Sequence, residues 1–282
     1  MMIKSIASQS IKTWLQIAVT RLTEATIPSA RLDAELILAH ALGKDRTYLH
    51  AHSDDQLASD VREIIDAQLT LRLDHLPIAY ITGHKEFYGR RFSVTADTLI
   101  PRPESEAIID SLKDLMQNFV VPKDKVLQLV DVGTGSGCLG ITAKLELPHL
   151  EVTLSDISGP ALAVAQANAT RLRADVTILE SDLLNSYRKP ADVIIANLPY
   201  VDLSWKRSPE TVHEPSIALF AGDGGQALIN QLIDQSIDIL ATPGLLILEA
   251  DPSQHESIIA YASHKGFLLR ARRDYSVAMQ LS

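Results

Sequence analysis

The chain has 282 residues, with 26 Lys+Arg against 35 Asp+Glu, a net charge of −9. Its pI is near 5.4, which argues against a general nucleic-acid binder. Hydrophobic residues make up 46% and charged residues 22%, ordinary for a soluble globular enzyme of one large domain or two unequal ones. The single cysteine, Cys138, excludes a disulfide framework and a thiolate metal site. No apolar run reaches the ~18 residues a membrane span needs.

Residues 1–76 read as helices only. No acidic residue precedes Glu24, a trait of transit peptides. Yet Ile11, Trp14, Leu15, Ala18 and Leu22 follow helical spacing, so this stretch reads as the first packed helix and the expected location is the cytoplasm. A second helix runs from the N-cap Ser29 to Gly43, with Leu32, Leu36, Ile37 and Ala41 as its apolar set. A third covers about 56–73, with Leu57, Val61, Ile64, Ile65 and Leu69 on one side. Pro77 marks a change of pattern. Aromatic and β-branched residues around Gly83 and Gly89 predict a hairpin linker over 77–100. Pro101 and Pro103 then open a helix from about Glu104 to Phe119.

From residue 126, strands and helices alternate, which predicts parallel strands with right-handed crossovers in a domain over 101–282. Strands are expected near 126–132, 151–156, 175–180, 192–196 and 245–250. A closing antiparallel pair is expected at Phe267–Arg272 and Ser276–Leu281. The stretch 198–222 reads as a long loop, a common place for function. Gly222-Asp223-Gly224-Gly225 reads as a turn before a helix, and Cys138 as a small residue packed under the preceding loop. The basic clusters Arg90-Arg91, Lys206-Arg207 and Arg270 with Arg272-Arg273 read as solvated faces.

Two motifs carry chemistry. The first is Asp131-Val132-Gly133-Thr134-Gly135-Ser136-Gly137, a glycine loop between the first strand of the alternation and its helix. Its glycines let the backbone pass tightly beneath a ligand, and the helix start aims free N–H groups at it. Asp156, at the end of the next strand, is placed to accept both hydroxyls of a ribose. Asp182 and Leu183, after the third strand, are candidates for an adenine contact; an ordinary turn at Asp182 is the competing reading. Gly135 to Gly140 also fits a dinucleotide fingerprint. Asp131 weighs against that rival, because a carboxylate there repels a pyrophosphate and welcomes a sulfonium or amino group.

The second motif is Asn197-Leu198-Pro199-Tyr200, at the end of the fourth strand. An amide or aniline-like nitrogen is a poor nucleophile because its lone pair is delocalised. Two acceptors against its two N–H bonds, the Asn197 side-chain oxygen and the Leu198 carbonyl, hold it and favour the pyramidal geometry of attack. Pro199 biases Leu198 toward extended backbone, and Tyr200 offers a flat face for a planar acceptor. Together the motifs point to methyl transfer from S-adenosylmethionine to an NH2 group, a reaction needing alignment more than a strong base. The nine histidines form no H-x-x-x-H or H-E-x-x-H pattern, and no G-x-S-x-G elbow occurs. His213 reads as a loop surface residue. No metal site is expected.

At this point the chain closely resembles the bacterial peptide chain release factor glutamine methyltransferases, from about Trp14 to the end. The landmarks are Arg31-Leu32-Asp33-Ala34-Glu35, Pro77-Ile78-Ala79-Tyr80-Ile81-Thr82-Gly83 and Glu86-Phe87-Tyr88-Gly89. Leu99-Ile100-Pro101-Arg102-Pro103-Glu104-Ser105-Glu106 is the most specific, joined by the two motifs above and by Glu214-Pro215 with Ala218-Leu219. The resemblance implies an α/β fold: a Rossmann-like, seven-stranded methyltransferase domain with a small all-helical N-terminal domain joined by a β-hairpin. It implies methylation of the glutamine in the Gly-Gly-Gln loop of release factors, with the N-terminal helices helping to dock that protein and no direct nucleic-acid or membrane partner. By position, Gly133 to Gly137, Asp156, Leu183 and Asn197 would hold the cofactor, and Asn197 to Tyr200 the glutamine.

The chain departs from the family pattern at three places. Leu198 stands where the family usually has Pro, Leu183 where it often has an aromatic residue, and Glu249-Ala250-Asp251 where Glu-x-Gly is more usual. Asn-Leu-Pro-Tyr is also similar to the motif of ribosomal RNA adenine dimethyltransferases. Two other readings therefore stay open: an adenine amino-group methyltransferase on RNA or DNA, and a non-catalytic module that keeps the fold.

Overall fold

The structure is a computed structural model, and it describes residues 9–117, 119, 125–202, 204–205 and 208–282. The Lys206-Arg207 cluster lies outside the described residues. The chain forms two compact units, Met1–Gly83 with Ser208–His213, and His84–Arg207 with Glu214–Ser282.

The first unit contains α1 (Ile11–Glu24), α2 (Ala30–Leu42), α3 (Arg46–Ala51), α4 (Ser59–Leu73) and α5 (Ile78–Thr82). Ser10 and Asp45 cap α1 and α3 by accepting the backbone N–H groups of Thr13 and Tyr48. Gly43 ends α2 in the left-handed region at φ 62°. Trp14, Leu22, Ile37, Leu38, Ile65 and Leu69 form the core. Two expectations need correction: Leu32 is 42% and Ile64 49% exposed. The inner face of α2 carries Ala34, Ile37 and Leu38 together with two buried carboxylates. Asp33 accepts from the buried Arg72 at 2.7 Å, and Glu35 from Arg31 at 3.0 Å and Arg46 at 2.5 Å. Pairing makes that burial tolerable. On α4, Ile65, Leu69 and Arg72 face inward, which turns Ile64 out. Residues 78–82 form the short α5 where extended chain was expected.

A 3-10 turn from the long loop, Pro209–His213, belongs to this unit. Glu210 accepts from Arg72, and the His213 ring is 3.0 Å from the carbonyl of Asp74. His213 is partly exposed in this loop turn, and its ring is engaged by the Asp74 carbonyl.

The second unit opens with a hairpin of β1 (His84–Phe87) and β2 (Arg90–Ser93), whose Phe87 and Phe92 are buried in this unit's core. After a 3-10 turn at Pro103–Ser105 comes α6 (Glu106–Met116). Then follow β3 (Gln128–Val132), α7 (Cys138–Glu146), β4 (Glu151–Asp156), α8 (Gly159–Leu172), β5 (Val176–Glu180), β6 (Ala191–Ala196), α9 (Ala227–Ile239), β7 (Leu240–Glu249), α10 (His255–His264), β8 (Phe267–Arg273) and β9 (Ser276–Leu281). The seven-stranded sheet has the order β5-β4-β3-β6-β7-β9-β8, parallel from β5 to β7, with β9 antiparallel to both its neighbours. This is the mostly parallel, Rossmann-like α/β sheet anticipated above. Its central strand β6 is buried throughout and β3 nearly so, because helices cover both faces.

The strand order fixes where a ligand binds. From β3 the chain winds to β4 and β5 on one side, then returns to β6 and β7 on the other. The carboxyl ends of β3 and β6 are therefore the switch point of the sheet, where the loops diverge and leave a crevice.

Candidate functional site

The two motifs of the sequence meet at that switch point. Strands β3 and β6 are hydrogen-bonded neighbours in register, with Val132 opposite Ala196. The next residues, Gly133 and Asn197, therefore start the two loops side by side. Gly133 stands at φ 71°, which favours glycine, and a Cβ there would lie 2.9 Å from Leu198 Cδ2 and force that side chain to move. Above them is a cleft of about 1080 Å³, counting the part open to solvent. It lies wholly within the second unit.

The floor of the cleft is the glycine loop. The backbone N–H groups of Gly133 and Thr134 both donate to Ser155 O, at 2.8 and 2.9 Å. Beneath the loop, Asp131 is fully buried, and its Oδ2 accepts from Thr134 Oγ1 at 2.5 Å and Gly140 N at 2.8 Å. Burial pushes its carboxyl up to about 6, against the pull of those two donors. Asp131 Oδ1 and Ser136 Oγ are buried without a hydrogen-bond partner. Gly135, at φ 54°, has open space where a Cβ would stand. Cys138 begins α7 and lines the cleft, and burial pushes its thiol up to about 12, so it stays protonated.

One wall comes from β4 and β5. Asp156 lines the cleft, with Oδ2 accepting from Gly135 N and Oδ1 from Ser158 N, both at 2.9 Å. Each oxygen keeps a lone pair for a further donor. Ile157, which the sequence reading did not single out, lies beside it and is half exposed. Asp182 is exposed in a turn closed by Asn185, and Leu183 is buried at φ 48°, an uncommon conformation for a branched residue. Both line the cleft.

The opposite wall is Asn197, Leu198 and Pro199, with Pro101, Arg102 and Ser105 from the stretch before α6. Asn197 Nδ2 donates to Ser105 Oγ at 2.9 Å. Tyr200 does not line the cleft; it packs partly on the core, and its hydroxyl donates to Glu249 Oε1 at 3.0 Å. Burial and the Glu249 charge push the Tyr200 phenol far above its ordinary value, so it stays neutral. Burial likewise raises Glu249. The backbone of Tyr200 is gripped too. Gln254 Nε2 donates to Tyr200 O at 3.0 Å and to Gly224 O at 2.8 Å, and Gly225 packs against Tyr200 so closely that no Cβ fits.

The structure thus gathers Gly133, Thr134, Gly135, Ser136, Asp156, Asp182, Leu183, Asn197, Leu198 and Pro199 around one cleft. It places Asp131 and Gly137 beneath the floor and Tyr200 behind the wall. It also explains the stretch 99–106. Buried Glu214 accepts from Ile100 N at 3.2 Å and from Arg102 at 2.5 Å, which ties the far end of the long loop to the wall. Sequence reasoning quoted these residues without a role, since the partners lie 112 and 114 positions apart. Among the described residues no group of three His, Cys, Asp or Glu is arranged for a metal, and no helix is long and apolar enough to cross a membrane.

Comparison with known proteins agrees with this arrangement. Residues 13–83 match the family described as PrmC N-terminal domain, and residues 105–214 the family described as methyltransferase small domain. A release factor glutamine methyltransferase of Koribacter versatilis is 39% identical over 245 residues, covering 83% of this chain and 86% of that protein. Its namesake in Escherichia coli K12 is 33% identical over 252 residues, 87% of each chain. Among solved structures, a methyltransferase from Pyrococcus furiosus superposes with a TM-score of 0.51 at 15% identity, over 80% of this chain and 100% of that one. At that identity the likeness speaks for the fold alone.

Proposed function

The chain belongs to the release factor glutamine methyltransferase family, and from that premise we propose how its residues do the work. It transfers a methyl group from S-adenosylmethionine to the side-chain amide nitrogen of the glutamine in the Gly-Gly-Gln loop of peptide chain release factors. The observation that carries the reading is the meeting of Gly133 with Asn197 and Leu198 at the ends of adjacent strands. It sets a cofactor floor directly against an acceptor for an NH2 group.

S-adenosylmethionine fits the residues present. The free lone pairs of Asp156 suit two ribose hydroxyls, and the open face of Gly135 leaves room for a ligand over the loop. Ile157 and Leu183 offer apolar surface for adenine, with Asp182 at its edge. Asp131, beneath Thr134, contributes carboxylate character under the loop and holds its shape. Asn197 serves both sides of the cleft. When bound, the cofactor supplies a methyl group activated on a sulfonium.

The glutamine amide donates its two N–H bonds to Asn197 Oδ1 and to the Leu198 carbonyl. That pairing localises the nitrogen lone pair and aims it. Leu198 in place of proline keeps the carbonyl, and its buried side chain against Gly133 restores some of the rigidity a proline would give. Pro199 keeps the turn extended, and Tyr200, behind the wall and anchored by Glu249, holds the end of the motif in place. The proton leaves after attack, so no side chain need act as a strong base. In this reading residues 1–76 dock the release factor, 77–100 connect, 101–282 perform the transfer, and the enzyme works in the cytoplasm.

The test is a pair of variants. Asn197→Ala is expected to abolish turnover while cofactor binding persists in part. Asp156→Ala is expected to weaken the cofactor about tenfold or more, the worth of ~1.4 kcal/mol of lost hydrogen bonding. Calorimetry and peptide mass mapping of the treated release factor read both. Wild-type turnover by the first, or unchanged cofactor affinity in the second, would overturn the corresponding assignment.

A further inference from the structure

The acceptor role of Asn197 depends on which end of its amide faces the cleft. A carboxamide has an acceptor oxygen and a donor NH2 of nearly the same shape, and only the oxygen can receive a substrate N–H. Something must hold the NH2 away. In this structure Asn197 Nδ2 donates to Ser105 Oγ at 2.9 Å, in a pocket where Ser105 is 2% exposed. Ser105 Oγ is thereby an acceptor, so its own proton is available to a further acceptor.

That acceptor is at hand. Glu249 ends β7 next to β6, is 1% exposed, and already accepts from Tyr200 at Oε1. Its Oε2 is buried without another partner. Burial raises its proton affinity, and Ser105, Tyr200 and Asn197 act against that rise as nearby hydrogen-bond donors. An ionised carboxylate at this place can only accept, which sets the direction of the bonds that reach it. A Ser105 proton turned toward Glu249 leaves Ser105 Oγ to take the Asn197 N–H, as in the observed bond, and the Asn197 oxygen is left for the cleft.

We propose that Ser105 is a positioning residue for methyl transfer, which together with Glu249 fixes the Asn197 amide so that its oxygen faces the substrate. The proposal rests on the assignment of Asn197 to the glutamine site. It gives a purpose to the last part of the stretch 99–106 that neither strand end supplies by itself.

The test compares Ser105→Ala, Ser105→Thr, Glu249→Gln and Asn197→Ala in the full chain, with release factor and S-adenosylmethionine as substrates. Ser105→Ala is expected to lower kcat about 10- to 100-fold, the range for a lost orienting hydrogen bond. KM for the release factor and cofactor affinity should change less than about threefold, because neither contact is removed. Ser105→Thr keeps the hydroxyl and should recover most of the rate. Glu249→Gln can donate to Ser105, which reverses the chain of bonds and presents the Asn197 NH2 to the cleft, so kcat should fall at least as far as in Ser105→Ala. A wild-type kcat for Ser105→Ala beside an inert Asn197→Ala would overturn the proposal and leave the Asn197 assignment standing. Equal losses in the Ala and Thr variants would also overturn it, since the hydroxyl would then not be the acting group. Full activity of Asn197→Ala would instead sink the underlying reading.

Discussion

Asp131 shows how one residue can be legible in kind and misplaced in role. The sequence places a carboxylate at the mouth of the glycine loop, facing the ligand. In the structure it sits beneath the loop, where Thr134 and Gly140 hold it as a brace. Its position has a measurable consequence. Burial raises its folded pKa to about 6 from the ordinary 3.8. A raised folded pKa gives stability that is fully present below the unfolded value and is lost as pH rises through the folded one. The cofactor-free protein is therefore expected to lose up to about 3 kcal/mol between pH ~4 and ~6 relative to Asp131→Asn, then to run level with it above that window. Urea unfolding of both proteins across pH 3.5–7.5 (roughly the span of the effect) checks this. Parallel curves would mean that Asp131 does not titrate there.

At the scale of elements, the alternation of strands and helices was legible from the chain itself. Strands buried on both faces read as apolar runs, and glycine, serine and aspartate mark their ends. Both loops of the site were placed for the same reason. Three things were not legible. The six-residue α3 is too short to show a period. The inner face of α2 combines Ile37 and Leu38 with the paired Asp33 and Glu35, and the pairs were not legible because Arg72 and Arg46 come from elsewhere in the chain. The wall of the cleft joins Ser105 to Asn197 and Arg102 to Glu214, pairings that sequence spacing does not encode. Helix α7 gives the element-scale prediction. A Cβ on Gly140 would strike Leu154 Cδ2 and lie 2.9 Å from Asp131 Oδ2. Alanine gains about 1 kcal/mol of helix propensity over glycine, but overpacking against a strand costs about 1–3 kcal/mol. Gly140→Ala is expected to be destabilised on balance and to bind the cofactor more weakly. A variant as stable as the wild type would mean that α7 shifts freely on the sheet.

At the scale of the molecule, the chain does not follow its units in order. Residues 208–213 leave the second unit's sequence to join the helical first unit, then return to it at Glu214. The tie within the first unit is Arg72, 2% exposed, which serves Asp33, Glu210 and the carbonyl of Leu76 at once. Removing a buried charge that satisfies others leaves them uncompensated, at a cost of about 3–5 kcal/mol. Arg72→Ala is expected to show that loss in thermal unfolding, together with new protease cleavage between Ser208 and His213. Loss of less than about 1 kcal/mol, the level of a surface pair, with the segment still protected, would contradict the account.

The central claim concerns the acceptor, and one measurement tests it most directly. Purified protein with labelled S-adenosylmethionine is offered release factor, a release factor with its Gly-Gly-Gln glutamine changed to alanine, ribosomal RNA and duplex DNA, each separately. The account predicts label on the release factor alone, mapped to that glutamine and absent from the alanine variant. Label confined to nucleic acid would contradict it, and would mean that Asn197 to Tyr200 holds an adenine amino group.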